Sequence, residues 1–486
     1  MKLTSAQVDA FHRASQDANP LHLDAAYARR SQFGRPVVYG MAAVLYALAQ
    51  WSDGRRFKLK SLRADFRKPL FVDEHYDFQV SRAGDGFRCR FGRGPVDYTL
   101  VSFVPCAESP VPPNAVASEL PDIEFTPAGI AASVPRVEKR EACFSAGDCG
   151  ALQAAFGIGV GSLPGSQLAA LLWASYLVGM EMPGRQAMFS ELRMEFTTEP
   201  LDATHIRLQL AAAAFDERFN RYTLSGSGTG IERFNISAFM RPEPVDFPLS
   251  SMRGVSGEAG PLQGRTVFVS GAARGFGATF ARLCALAGAR VALNYRGDAD
   301  TANALRDELR DAGHEAAVFA CDLEDAVSVR RMGAEVAAAF GGLDLIVNNA
   351  APAIRELQFA EQTDEELLGF VRQNMAITLH TSRYLLPLLR EGGQFIHIST
   401  KYLATPARGF SHYLAAKSAQ EGLIRALAEE YRGVDFVIAR LPRILTDQTN
   451  LPFSFERPAD PRDVAKKLIE SAGERGDSNF RRLDLY

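Results

Sequence analysis

Hydrophobic periodicity disappears over PEPVDFPLSSMRGVSGEAGPLQ, residues 242 to 263, and the chain obeys different folding rules on either side of that break. After it, the short apolar runs TVFVS, RVALNY, AAVFACDL, LDLIVNNA, QFIHIST and DFVIARLP alternate with amphipathic stretches. That alternation predicts an α/β unit with a parallel, doubly wound sheet, and the terminal FRRLDLY reads as a short last strand. Before the break, the apolar helix YGMAAVLYALAQW is followed by alternating segments such as LKSLRADF, DFQVSRA and VDYTLVSFV. One buried helix ahead of an antiparallel sheet is an α+β plan. Residues 135 to 241 repeat it loosely, with the helix SQLAALLWASYLVGM and then FSELRMEFTTEP, HIRLQLAAAAF, RYTLSGSGTG and RFNISAFMRP. The proline-rich ESPVPPNAV falls near the expected junction of the two halves. The expected units are 1–125, a degenerate second copy at 126–245, a linker at 246–263, and 264–486.

A chain of 486 residues exceeds one ordinary core, and 47% hydrophobic with 23% charged residues is an ordinary globular composition. A net charge of −3 supplies no broad cationic field for a phosphate backbone, so nucleic acid is not an expected partner. The six cysteines form no CxxC pair, which points to free thiols and to no bound metal. MKLTSAQVDAFHRASQD lacks the plan of a signal peptide, and no 18-residue apolar run follows. LDLY matches no receptor-read address, so the expected location is cytoplasmic, with no membrane partner.

The strand TVFVS runs into SGAARGFG, placing Gly271, Gly275 and Gly277 in a tight turn that opens a helix near Phe276. Such a turn presents backbone N–H groups to a pyrophosphate, although the spacing is GxxxGxG rather than GxGxxG. At the tip of the second strand, LNYRGD carries Asn294 and Arg296 with no acid at the position that would bind both ribose hydroxyls, while Asp298 lies a little further on. Arg274 and Arg296 suit a 2′-phosphate, so NADP(H) is the expected cofactor. With Asp322, the NNA of Asn348 to Ala350, Asn374 and the YLAAK of Tyr413 to Lys417, residues 264 to about 450 resemble the short-chain dehydrogenase/reductase family. The resemblance implies that Asp322 contacts the adenine, that Asn348 and Ala350 border the cofactor, and that Asn374 supports a proton relay. Tyr413 and Lys417 lie four apart on a helix face, where an ammonium favours the phenolate and the phenol exchanges a proton with the substrate oxygen. Thr400 occupies the place of the family's usual serine, with Ser399 as the alternative. Pro442-Arg443 stands where Pro-Gly is usual.

The opening text QDANPLHLDAAYARRSQFGRPVVYGMAAVL contains D-x-N-P-x-H as Asp17, Asn19, Pro20 and His22, with Gly40 at the start of the apolar helix. It resembles the MaoC-like, (R)-specific enoyl-CoA hydratase family, which implies a hot-dog fold and, with the loose repeat, a tandem of two. Adding or removing water across an enoyl thioester needs two proton-handling groups on one face, and Asp17 and His22 suit that division. Asn19 would orient the loop, and the Gly40 N–H would polarise the thioester carbonyl. Tyr39 replaces the histidine common before that glycine. The second half lacks the motif and offers only Asp148 in SAGDCGALQAAFGIGVGSLPGS, so it is expected to be noncatalytic and to shape the acyl tunnel.

Together the two resemblances imply reduction of a 3-oxoacyl thioester with NADPH, then dehydration to the 2-enoyl thioester, in fatty-acid or polyketide-type biosynthesis. The pairing resembles the multifunctional enzymes of peroxisomal β-oxidation in reverse domain order. The substrate is expected on an acyl-carrier protein or CoA, and the assembly as a homodimer or higher homo-oligomer. Two alternatives stay open: a ketoreductase with a noncatalytic, acyl-binding or dimerising hot-dog region, and a nonenzymatic scaffold descended from both families.

Overall fold

The computed structural model describes residues 1–106, 140–159, 162–198, 203–252, 260–452, 456–473 and 478–486. The ESPVPPNAV junction lies outside the described residues, as does 253–259 of the linker. Two compact units result, one of Met1–Glu243 with Leu451–Ser454, the other of Pro244–Asn450 with Phe455–Tyr486.

In the first unit, α1 (Ser5–Ser15), α2 (Pro20–Leu23), α3 (Ala25–Arg29) and α4 (Gly40–Ser52) precede β1 (Leu59–Phe66), β2 (Asp77–Ala83), β3 (Gly86–Arg93) and β4 (Val96–Pro105). The second half follows with β5 (Arg140–Ser145), α5 (Cys149–Phe156), α6 (Gly165–Tyr176), β6 (Ala187–Phe196), β7 (His205–Asp216), β8 (Arg221–Gly228) and β9 (Ile231–Met240). All nine strands form one sheet in the order β2-β3-β4-β1-β6-β9-β8-β7-β5. The halves join where β1 pairs antiparallel with β6, Leu62 opposite Met194 and Ala64 opposite Leu192. The sequence patterns of α4 and α6 explain their place: both are apolar nearly all round, so each is buried against the sheet as a hot-dog helix. Trp173 on α6 is 1% exposed and meets Phe234 edge to face, and a fully buried side chain of this kind contributes about 1.5–3 kcal/mol. Residues Leu177–Glu181 continue α6 as a π turn.

The second unit runs β10 (Thr266–Val269), α7 (Gly275–Leu286), β11 (Arg290–Tyr295), α8 (Ala299–Asp311), β12 (Ala316–Ala320), α9 (Ala326–Phe340), β13 (Leu343–Asn348), α10 (Asp364–Leu385), β14 (Leu389–Thr400), α11 (Ser411–Glu430), β15 (Asp435–Leu441), α12 (Pro461–Gly473) and β16 (Phe480–Asp484). Its seven strands are ordered β12-β11-β10-β13-β14-β15-β16, and every pair is parallel. This is a Rossmann-type sheet in which strand order reverses between β10 and β13, so the crevice above their carboxyl ends is the natural ligand site. Among the described residues, no helix is long and apolar enough to cross a membrane, and no cluster of His, Cys, Asp or Glu is set to hold a metal ion. All six cysteines are free.

Candidate active sites

The D-x-N-P-x-H loop is fixed by its own side chains. Asn19 caps α2, its Oδ1 accepting from Leu21 N at 3.0 Å, and Pro20 opens the helix with its φ already helical. Asp17 is 2% exposed. Its Oδ1 accepts from Asn19 N at 3.1 Å and its Oδ2 from Ser175 Oγ at 2.7 Å. The Asp17 carbonyl accepts from Tyr39 Oη at 2.5 Å, so Tyr39 braces the loop from the position where a histidine is usual. His22 packs on Tyr39 with ring centroids 3.9 Å apart and planes tilted by 31°, and its Nδ1 lies 2.8 Å from the Val37 carbonyl. A carbonyl only accepts, so Nδ1 carries the proton and Nε2 keeps a lone pair.

Asp17, Asn19, His22 and Gly40 border one cavity of about 220 Å³, which Ser175 and Gly179 also line. Phe66 forms part of its wall, and a Cβ on Gly40 would stand 2.8 Å from that ring. Burial pushes the Asp17 carboxyl up to about 7, against the pull of the Ser175 and Asn19 hydrogen bonds. Burial drives His22 the other way, down to about 4, with the Val37 bond opposing and the Arg241 guanidinium assisting. Opposite shifts in neighbouring groups separate an acid from a base. Ser175 escaped the sequence reading: one serine in an apolar helix of the half without the motif gives almost no signal. Asp148 serves as the N-cap of α5, accepting from Ala151 N at 2.8 Å.

In the second unit, the glycine turn follows β10. Gly271 and Gly275 have φ of +63° and +58°, values that side chains with a Cβ tolerate poorly. A Cβ on Gly277 would meet the Gly271 carbonyl at 2.3 Å. The turn is also clamped from β13: Asn349 Nδ2 donates to the Ser270 and Gly271 carbonyls at 3.0 and 3.3 Å, and Ala350 N donates to Ser270 Oγ at 2.9 Å. α7 starts here without a side-chain cap, and Phe276 in its first turn is 7% exposed. A turn emptied of side chains at a helix N-terminus fits a dinucleotide pyrophosphate.

Asn294 sits behind this turn rather than at its rim. It is 2% exposed, its Oδ1 accepts from Gly271 N at 3.2 Å, and its Nδ2 donates to the Phe319 and Cys321 carbonyls at 3.3 and 3.2 Å. The expected cofactor contact is therefore a buried brace, because the side chain satisfies one backbone group of the glycine turn and two carbonyls at the end of β12. Asp298, the acid a little past the strand tip, caps α8 through Thr301 N at 3.2 Å. Arg296 is exposed at the strand tip and paired with Glu324 at 3.3 Å. Arg274 is the residue before α7, and Asp322 is exposed after β12. Asn348 is buried, donating to Thr378 Oγ1 at 3.0 Å and lying 3.1 Å from His397 Nδ1.

Tyr413 and Lys417 share the buried face of α11, with the Lys417 Nζ 6.0 Å from the phenol ring centre. Thr400, at the end of β14, hydrogen-bonds Tyr413. Ser399 faces the other side of the strand and donates to Glu421 Oε1 at 2.6 Å, which removes it as the alternative to Thr400. Asn374 is 1% exposed; its carbonyl accepts from Gln420 Nε2 at 2.9 Å. Burial pushes Tyr413 up to about 12, with the Thr400 bond pulling down, so the expected lowering of the phenol does not hold here: desolvation wins. Burial also brings Lys417 down to about 8, and Glu421 one turn along opposes it. The Lys417 Nζ donates to the Ile398 carbonyl at 2.8 Å. Glu421 was not singled out from sequence, yet it is 3% exposed and pairs doubly with Arg440, at 2.9 and 2.8 Å.

Two expected outcomes follow from this packing. Thr400→Val is expected to lower turnover at the Tyr413 site by on the order of a hundredfold, the scale for a lost hydrogen-bond donor to a reacting oxygen, while Ser399→Ala leaves it within a few-fold. Glu421→Ala leaves the part-exposed Arg440 and the Ser399 hydroxyl without their shared acceptor and costs about 1–3 kcal/mol, read as a lower urea midpoint.

The family profile described as short chain dehydrogenase matches residues 265–450, and the one described as MaoC like domain matches residues 1–100. An uncharacterized short-chain type dehydrogenase/reductase of Sinorhizobium fredii is 34% identical over 209 residues, 41% of this chain and 81% of the relative. A 3-oxoacyl-acyl-carrier-protein reductase of Staphylococcus aureus is 28% identical over 190 residues, 38% of this chain and 77% of the relative. The fatty acyl-CoA reductase of Acinetobacter baylyi is 29% identical over 174 residues, 35% of this chain, and the chain spans 58% of its length. A solved short chain dehydrogenase from Burkholderia cenocepacia in complex with NADP is 28% identical, with a TM-score of 0.43, covering 46% of this chain and 97% of that one.

Proposed function

The chain belongs to the short-chain dehydrogenase/reductase family through residues 265–450 and carries a MaoC-like domain over residues 1–100, and from that premise we propose that it reduces a 3-oxoacyl thioester with NADPH and dehydrates the product. The carrying observation is that one chain assembles two proton-handling sets: Tyr413 with Thr400 and Lys417, and Asp17 with His22 around one cavity.

In the reductive half, the glycine turn and the first turn of α7 would hold the dinucleotide, with Arg274 and Arg296 as partners for a 2′-phosphate and Asp322 beside the adenine. Bound there, the cofactor supplies a hydride to the carbonyl carbon. Tyr413, held protonated by burial, gives its proton to the carbonyl oxygen, and Thr400 donates to the same oxygen. Lys417 keeps a positive charge beneath the phenol. Asn374 anchors the helix behind this group through its carbonyl.

In the dehydrating half, His22 Nε2 takes the proton from C2 as neutral base. Protonated Asp17 gives its proton to the departing C3 hydroxyl, and the Gly40 N–H at the uncapped start of α4 polarises the thioester carbonyl. Hydration is the same path reversed. The bound partner on this reading is an acyl-carrier-protein or CoA thioester, and the biosynthetic direction follows from NADPH. Two assays test the halves: NADPH oxidation with a 3-oxoacyl thioester, and growth of enoyl-thioester absorbance from a 3-hydroxyacyl thioester without cofactor. Absence of both reactions over several chain lengths contradicts the proposal and favours a scaffold.

A further inference from the structure

Both motif residues of the dehydrating site come from the first half of its domain, yet one group touching Asp17 does not. Ser175 lies on α6, is 4% exposed, and donates to Asp17 Oδ2 at 2.7 Å across 158 residues of sequence. One helical turn later, Gly179 backs the same carboxylate: a Cβ there would stand 2.3 and 2.6 Å from its two oxygens. The Gly179 carbonyl accepts from Asn19 Nδ2 at 3.4 Å. Ser175 and Gly179 are four apart, so they share one face, and the π turn that begins at Leu177 carries Gly179 in the cavity wall.

From this contact we infer that Ser175 is a positioning residue for Asp17, so that the half lacking the D-x-N-P-x-H motif completes the proton-transfer site. The inference rests on the dehydratase reading above. With Asn19 N on Oδ1 and the Ser175 hydroxyl on Oδ2, each oxygen of Asp17 has one fixed donor, and the carboxyl plane is set. Both donors favour the ionised form and oppose the burial that favours the neutral one. The titratable groups facing Asp17 are His12 of α1, whose Nδ1 lies 3.0 Å from the Asp17 carbonyl, His22 of α2, Tyr39 before α4 and Tyr176 of α6. No cation pairs with Asp17 among the described residues, which leaves Ser175 as the side chain that holds its midpoint down against burial. Gly179 acts by absence: it leaves room for the carboxylate against the helix.

Removing the donor therefore raises the Asp17 midpoint. In dehydration the protonated carboxyl is active, so rate falls as pH rises through that midpoint, and Ser175→Ala moves this limb upward by about one unit. On the plateau kcat falls about tenfold or more through lost orientation, with KM within about twofold. Ser175→Thr, which keeps the hydroxyl, restores the limb. Independently of turnover, isotope-edited infrared titration of the Asp17 carboxyl reads the same midpoint in wild type, Ser175→Ala and Ser175→Thr. An upward move in Ala reversed in Thr supports the inference; an Asp17 midpoint equal in wild type and Ser175→Ala overturns it. A wild type that shows the infrared behaviour but dehydrates no 3-hydroxyacyl thioester instead overturns the functional reading.

Discussion

Tyr413→Phe is expected to lower NADPH-dependent reduction by on the order of 10³ while dehydration of a supplied 3-hydroxyacyl thioester continues at the wild-type rate. The phenol is the one protonated acid on the buried face of α11 beside Thr400, and general acids contribute about 10² to 10⁴ in rate. Phe keeps the ring and its packing, so the loss should fall on kcat more than on KM or on unfolding. The neighbouring ammonium adds a pH signature. Lys417 is brought down to about 8, so its charge is present below that value and lost above it. Reductive kcat/KM should accordingly have a descending basic limb near 8, measured by initial rates from pH 6 to 10 at constant ionic strength. Lys417→Met should flatten that limb and depress the plateau. A wild-type profile level through pH 9 would contradict the role given to the ammonium.

The complementary loss is expected at the other site. Asp17→Asn removes the acid and His22→Ala the base, and each should cut dehydration by on the order of 10³, with reduction unaffected. Asn at position 17 still accepts from Ser175 and fits the volume of the carboxyl, so a folded but inactive protein is the expected product. The wild-type profile for dehydration should rise as His22 loses its proton near 4 and fall as Asp17 loses its own near 7. The hydration rate should fall through the same upper midpoint, because the reversed path needs the same single proton on the Asp17–His22 pair. Dehydration surviving both substitutions would place the chemistry elsewhere.

Much of this architecture was legible because several local signals agreed. The strand-turn-helix text around Gly271 to Gly277 was fixed by conformational demand: two glycines at positive φ and a third pressed on a carbonyl admit few other residues. Asp17, Asn19 and His22 were legible because a cap, a proline at the start of a helix and a buried acid lie within six residues. What escaped depended on contacts between distant segments. Asn294 reads as a cofactor contact from its strand-tip position, but burial turns its amide inward to three backbone groups. Ser399 and Thr400 are adjacent, and only the strand register, with Ser399 opposite Arg440, shows which one faces Glu421 and which one Tyr413. The direction of the Tyr413 shift also needed burial, since a Tyr and Lys at helical spacing carry no information about desolvation. Ser175 needed the β1–β6 pairing that brings α6 beside the loop of the first half.

The central claim is that both proton-handling sets serve successive steps on one thioester. The most direct measurement is mass spectrometry of a 3-oxoacyl thioester incubated with NADPH and the full-length protein, with Tyr413→Phe and Asp17→Asn run alongside. The account predicts that wild type adds two hydrogens and then removes one water, that Asp17→Asn stops at the hydroxyacyl stage, and that Tyr413→Phe leaves the starting material unchanged. Enoyl product from Asp17→Asn, or a wild type that halts after the first step at every chain length, would contradict it.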